Sequence, residues 1–254
     1  MDIYEHARRE AETRFAAGWR PSNLMGKENV KLKKAEKMNW RGIGLSMAPA
    51  NISGWEVCAS RSPECTEHCL FTSGRGAGHF TRKDGTHPVW TGRIFRTIWF
   101  FRDRPGFMAQ LMKEIDRNQD AAIRLNVFSD WQWERQFPEI FADFPKTQFY
   151  DYTKHHKRMY RSRPDNYHLT FSLHENNEQH AKGVLQAGMN IAAVTDQVGG
   201  TLFGHPVIDG DDHDLRFLDP SPCVVGLMPK GSLKKDVGTK EMIYATEPPV
   251  HEAA

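Results

Sequence analysis

The sequence predicts an α/β fold: a partial or complete (βα) barrel of mostly parallel strands, with a long cysteine-bearing loop after the first strand. Three observations lead there. Short apolar runs alternate with helical or irregular stretches, the pattern of strands joined by crossovers. Several of those runs end in polar residues, as expected where strand ends share one mouth. A stretch punctuated by Pro49, Gly54, Pro63, Gly74, Gly76, Gly78, Gly85 and Pro88 is far longer than an ordinary connection, which marks it as functional.

Taken in order, residues 3–19 place Ala7, Ala11, Phe15 and Ala16 between charges, the spacing of an amphipathic helix. Residues 41–47 read as the first strand, and the long loop follows. Residues 91–118 read as helical with a break near Pro105. Strands are then expected at 122–127, 148–154, 167–173 and 190–196, with a short helix at 137–144 and a longer one at 178–186. Gly188 stands where a helix stop is needed. Further strands are expected at 206–209 and 223–228. This divides the chain into an N-terminal helical extension (1–40), a barrel-like catalytic domain (41–246) and a flexible tail (247–254).

Hydrophobic residues make up 39 % of the chain, enough for a sizeable core and too many for default disorder. No apolar run approaches the ~18–20 residues of a membrane helix, and the charged start does not read as a signal peptide. The expectation is a soluble, cytoplasmic protein without a membrane partner. Net charge is only +2, so bulk charge does not argue for nucleic acid. The charge is unevenly placed, however. Runs 31–37 and 154–163 are basic and run 209–214 is acidic; each is either a solvated face or a patch for a phosphate-bearing substrate.

Of four cysteines, Cys58, Cys65 and Cys69 are clustered and Cys223 is remote. In a reducing compartment such a cluster points to a metal or redox centre rather than a disulfide framework. Thiolates suit iron–sulfur clusters and zinc. Three on one loop can hold three irons of a [4Fe-4S] cluster and leave the fourth iron open. Structural zinc would need a fourth ligand, for which His68, His79 and Cys223 are candidates. Unliganded thiols are the third reading.

Other constellations are weaker. The glycines at 74, 76 and 78 suggest a phosphate cradle, yet no strand immediately precedes them, which favours a plain turn. The acidic run 209–214 lacks the spacing of a calcium loop. In the strand at 148–154, alternation puts Tyr150, Tyr152 and Lys154 on one face and Asp151 on the other. The strand ends nominate Asn126, Asp130, Asp151, Lys154, Glu175 and Asp196. Of these, Asp130, Asp151 and Lys154 are candidates for catalysis, and Asn126, Glu175 and Asp196 for cofactor binding. Asp130 stands first, because Trp131 and Trp133 beside it would desolvate a carboxylate and raise its pKa.

The cysteine loop with Asn51-Ile52-Ser53-Gly54 before it, residues 124–130 (RLNVFSD), 149–154 (FYDYTK) and 216–220 (RFLDP) together resemble the bacteriophage gene-product-88 family. The likeness runs from about Ile43 to Gly231, and it extends to radical-SAM-like phage proteins with a three-cysteine cluster at the mouth of a partial barrel. It implies a [4Fe-4S] cluster on Cys58, Cys65 and Cys69 whose open iron chelates S-adenosylmethionine. Reductive cleavage would then give a radical that abstracts hydrogen from a nucleotide or DNA base. The gaps between these cysteines are wider than in the usual radical-SAM pattern, and His68 precedes Cys69. Two rival readings stand beside it: a zinc-stabilised nucleic-acid binder without catalysis, and a nucleotide transferase working through Asp130 or Asp151.

Overall fold

The computed structural model describes residues 3–26, 34–235 and 242–248. Helix α1 (Glu5–Ala16) buries Ala7 and Ala11 against α3 (Pro88–Arg102), whose Ile94, Phe95, Ile98 and Phe100 lie at the centre of the main core. Before α3, the cysteine segment is not one unbroken loop. It contains a short helix, α2 (Pro63–Glu67), and 3-10 turns at Leu70–Thr72, Gly74–Gly76 and Gly78–Phe80. The break expected near Pro105 falls at Asp103, whose carboxylate accepts the Gly106 amide at 3.1 Å and starts α4 (Arg104–Asp116). Proline is tolerated there because a first-turn amide has no intrahelical acceptor to lose.

The strands are β1 (Met25–Gly26), β2 (Arg41–Leu45), β3 (Ala121–Arg124), β4 (Gln148–Thr153), β5 (Tyr167–Ser172), β6 (Ile191–Thr195), β7 (Thr201–Leu202), β8 (His205–Asp209), β9 (Val224–Leu227) and β10 (Ile243–Tyr244). They form one sheet in the order β1-β2-β3-β4-β5-β6-β9-β8-β7, with β10 beside the end of β6. Strands β2 to β6, β9 and β8 run parallel, as expected. Closure into a complete barrel is not seen. Each end of the path is finished by a two-residue antiparallel strand, β1 on β2 and β7 on β8, and the sheet is open.

Short helices α5 (Trp133–Gln136), α6 (Glu139–Ala142) and α7 (His156–Met159), with the longer α8 (Glu178–Gln186), fill the crossovers. Gly188 takes a φ of 78°, the left-handed value that ends α8. Side chains alternate between the two faces of the sheet. Phe149 and Phe171 enter the main core, whereas Tyr150 packs with Leu215 on the opposite face. That second face is crossed by residues 211–219. Asp214 accepts hydrogen bonds there from Tyr152 at 3.2 Å and pairs with Arg124 at 3.0 Å. The acidic run is therefore dispersed. Asp211 pairs with Lys230 at 2.5 Å, and Asp214 is buried beneath the sheet.

The basic run 31–37 lies partly outside the described residues; within them, Lys34 donates to the Asp211 carbonyl at 2.5 Å. The tail expected after Thr246 also lies largely outside them. What is described of it includes a bridge between Glu247 and Thr201. No described helix is long and apolar enough to cross a membrane.

Candidate metal centre

Three separate devices present the three cysteines. Cys58 follows a turn in which Val57 donates to the Ala50 carbonyl at 3.1 Å, and its own amide bonds Glu56 at 2.7 Å. Its thiol reaches the Phe128 carbonyl at 3.4 Å. Cys65 rides on α2, started by Pro63 and by Ser62, whose hydroxyl accepts the Cys65 amide at 3.1 Å. Glu175, beyond β5, holds that helix start: it accepts from the Ser62 hydroxyl at 2.8 Å and from the Glu64 amide at 3.2 Å. Cys69 follows on the next turn. Below it, Arg93 donates to the Phe71 carbonyl at 3.0 Å and lies 4.1 Å over the Phe128 ring.

The fold brings these thiols within electrostatic reach of one another. Burial pushes the Cys58 thiol up to about 12, against a backbone hydrogen bond from Ala50, with Asp130, Cys69 and Cys65 adding to the rise. Burial likewise pushes Cys69 up to about 11, opposed by a Phe71 backbone hydrogen bond, raised further by Cys65, and opposed again by Lys154 and Arg93. Lys154 faces the whole group. Desolvation pulls its ammonium pKa down, but Cys65, Asp130, Cys58 and Cys69 more than offset this, and the net shift is upward. Its ammonium donates to the Ser172 hydroxyl at 2.9 Å, and its amide to Asp130 at 2.8 Å. Lys154 and Ser172 leave the carboxyl ends of β4 and β5, the edge where ligands sit in parallel sheets.

The remaining nominees separate into three groups. Asp130 stands beside the thiols, with one oxygen on the Lys154 amide and the other on Arg158 at 2.7 Å. Asn126 and Asp151 lie beneath, fully buried. Asp151 accepts from the Asn126 amide at 2.7 Å, the Asn126 side chain at 3.1 Å and the Tyr167 hydroxyl at 2.8 Å. Asn126 in turn accepts from Ser129, Trp131 and Trp133, which fixes the turn that carries Asp130. Asp151 lies opposite Tyr150 and Tyr152, as alternation requires. Asp196 is not brought to the thiols: it is exposed and accepts from the Thr246 amide at 3.1 Å.

Of the three candidates for a fourth ligand, Cys223 is not brought to the group. Cys223 is buried with Ala192 and Val225, just before β9 and so at the other end of the sheet. Its thiol is pushed up to about 11 by burial and by Asp219, against Arg216. The His68 Nδ1 is engaged with the Ser232 hydroxyl at 2.8 Å while its Nε2 is buried without a hydrogen-bond partner, and His79 is exposed. Among the described residues, no three His, Cys, Asp or Glu side chains are gathered as they would be around one metal ion. A tetrahedral zinc with bonds of ~2.3 Å draws its sulfurs to within roughly 4 Å of each other. A cluster binds each cysteine to a different iron and so needs no such convergence on one point.

The basic run 154–163 does not act as one surface. Lys154 turns to the thiols. Arg158 has no exposed side-chain area and binds Glu134 through two bonds of 2.9 and 2.8 Å, with Asp130, Thr153 and Tyr167 as further partners. Lys157 and Arg161 remain exposed, with Tyr160. Sequence reasoning missed Arg158, Arg93 and Ser172. Only Ser172 left a signal, as the last residue of its strand in the same way that Lys154 follows β4. The glycines at 74, 76 and 78 form no cradle, because the amides of Gly76 and Ala77 close turns onto the Ser73 and Gly74 carbonyls.

No curated protein and no solved structure matches this chain. The family described as Gene product 88 matches it over residues 21–242, which takes in strands β1 to β9 and all three clustered cysteines. The chain belongs to the Gene product 88 family of phage proteins.

Proposed function

We propose that Cys58, Cys65 and Cys69 hold a [4Fe-4S] cluster, and that the protein is a radical-SAM-like phage enzyme modifying a nucleotide or DNA base in the host cytoplasm. The observation that carries this reading is the meeting of three thiols with one lysine at the carboxyl edge of a parallel sheet. When bound, the cluster supplies the electron for reductive cleavage of S-adenosylmethionine.

The chain's own residues set the surroundings. Lys154 is the cation that the three thiols share, and with Ser172 it offers donors to a carboxylate or phosphate arriving at that edge. Asp130 holds the Lys154 backbone and is a positioning residue in this scheme. Glu175 fixes the helix that carries Cys65. Asn126 and Asp151 act one layer deeper, by holding the turn at 126–131. Exposed Lys157, Tyr160 and Arg161 continue from Lys154 and suit the phosphates and base of a nucleotide. The zinc-binder reading draws less support from Cys223, which is buried with Ala192 and Val225 just before β9. The transferase reading meets carboxylates at 130 and 151 that are already hydrogen-bonded.

The test is direct. Protein reconstituted anaerobically and reduced with dithionite should release 5′-deoxyadenosine from S-adenosylmethionine, and Cys65→Ala should release none. A cluster-loaded wild-type protein that leaves S-adenosylmethionine intact would refute the enzymatic part.

A further inference from the structure

Just beyond Cys69 the chain is wound into successive tight turns that close their own hydrogen bonds. Phe80 and Thr81 donate to the Ala77 and Gly78 carbonyls, each at 3.0 Å. The turns are bolted to α3: the Trp90 indole donates to the Gly76 carbonyl at 2.8 Å. The His87 ring stacks on Trp90 at 4.1 Å and reaches the Ala77 carbonyl at 3.1 Å. Gly76 is required there, because a Cβ would lie 1.9 Å from the Phe71 carbonyl oxygen. A further turn, closed by Arg82 onto the Thr86 carbonyl at 2.8 Å, completes the frame.

This frame presents Arg75, His79, Phe80, Arg82 and Lys83 to solvent. Phe80 is 50 % exposed, with its ring 4.3 Å from that of His79. Among the described residues, no ion pair within 4 Å engages Arg75, Arg82 or Lys83. The one acid of the stretch, Asp84, is bonded to Thr86 at 2.7 Å. An aromatic held out of the core and flanked by three cations, of which Arg82 alone feels a nearby acid in Asp84, is a poor arrangement for stability. It matches what a flexible polyanion with flat bases needs.

We propose that Arg75, His79, Phe80, Arg82 and Lys83 form a docking strip for single-stranded nucleic acid, with Phe80 stacking on a base and the cations meeting phosphates. The strip follows Cys69 directly in the chain, so a strand held on it is tethered beside the cysteine centre. The choice of nucleic acid over another polyanion rests on the reading of that centre as a nucleotide-modifying one. A lipid surface would favour several exposed apolar side chains over a single ring among cations.

The experiment is fluorescence anisotropy of a labelled oligothymidine with the full-length protein, as purified, across a salt series. Base–aromatic stacking of the usual strength predicts that Phe80→Ala weakens binding about 5- to 150-fold. The variant carrying Arg75→Glu, Arg82→Glu and Lys83→Glu should flatten the log–log salt slope by about 2, the contribution of three phosphate contacts on a single strand. Phe80 is exposed, so its variant should melt like the wild type, and its iron content should be unchanged. Because this binding does not require the cluster, it should persist in Cys65→Ala, and a failure of the cluster reading would leave it standing. Equal binding by wild type and both strip variants would overturn the proposal. So would binding to phosphatidylglycerol vesicles with none to the oligonucleotide.

Discussion

Arg158→Ala is expected to lower stability by about 3–5 kcal/mol, read as a fall in the urea midpoint at unchanged m-value. The guanidinium has no exposed side-chain area. It satisfies Asp130 at 2.7 Å, Glu134 at 2.8 and 2.9 Å, and the Tyr167 hydroxyl at 3.0 Å. The two carboxylates are nearly buried themselves. Its own charge is strongly favoured: burial opposes it, but Tyr167, Asp130 and Glu134 more than compensate. Removing it strands two anions in a poorly solvated place, which is far worse than never having buried the group. Neutralising both partners as well, with Asp130→Asn and Glu134→Gln, should recover part of the loss. A fall below about 1 kcal/mol for Arg158→Ala would place the residue among ordinary surface pairs and contradict this account.

The second large effect is on pH dependence. Burial pushes the Asp151 carboxyl up to about 7, against the pull of Arg124, the Asn126 amide, the Tyr167 hydroxyl and Arg158. In the unfolded chain the same group titrates near 3.9. Between those values the folded state holds a proton that the unfolded state has lost. Stability attributable to this residue is therefore greatest at the acidic end of the window. It declines as pH rises toward 7 and levels off above, with a slope of up to about 1.4 kcal/mol per pH unit. Asp151→Asn should be less stable throughout, because its amide meets donors from Asn126, and should lack that slope. Urea unfolding of both proteins from pH 4.5 to 8 gives the comparison; parallel curves would mean that Asp151 is ionised across the range.

How much of this was legible in the sequence depends on the reach of each signal. The parallel strands from β2 to β6 announce themselves as apolar runs, and the structure keeps them within one to three residues of the expected limits. The two-residue strands β1, β7 and β10 are too short to show any period. Openness of the sheet has no local signature either, since it depends on which edges find a partner. The cysteines are legible because they are close in the chain. Their shared lysine is half legible: Lys154 stands at a strand end, but its approach to Ser172 is created by the β4–β5 register.

Arg158 and Lys157 are neighbours of the same type in one basic run, and a buried cation cannot be told from a solvated one by type. What decides it is Asp130 and Glu134, more than twenty residues back along the chain and one strand away. Asp196 shows the converse error. It ends its strand as expected, but the returning chain at Thr246 takes its carboxylate.

The central claim is that Cys58, Cys65 and Cys69 share one iron–sulfur cluster. Iron and acid-labile sulfide should be measured on anaerobically purified wild type and Cys65→Ala, with a visible absorbance spectrum of each. The account predicts roughly four irons and four sulfides per chain, with a brown chromophore lost in the variant. A colourless wild type with one zinc per chain, or a variant that keeps the iron of the wild type, would contradict it.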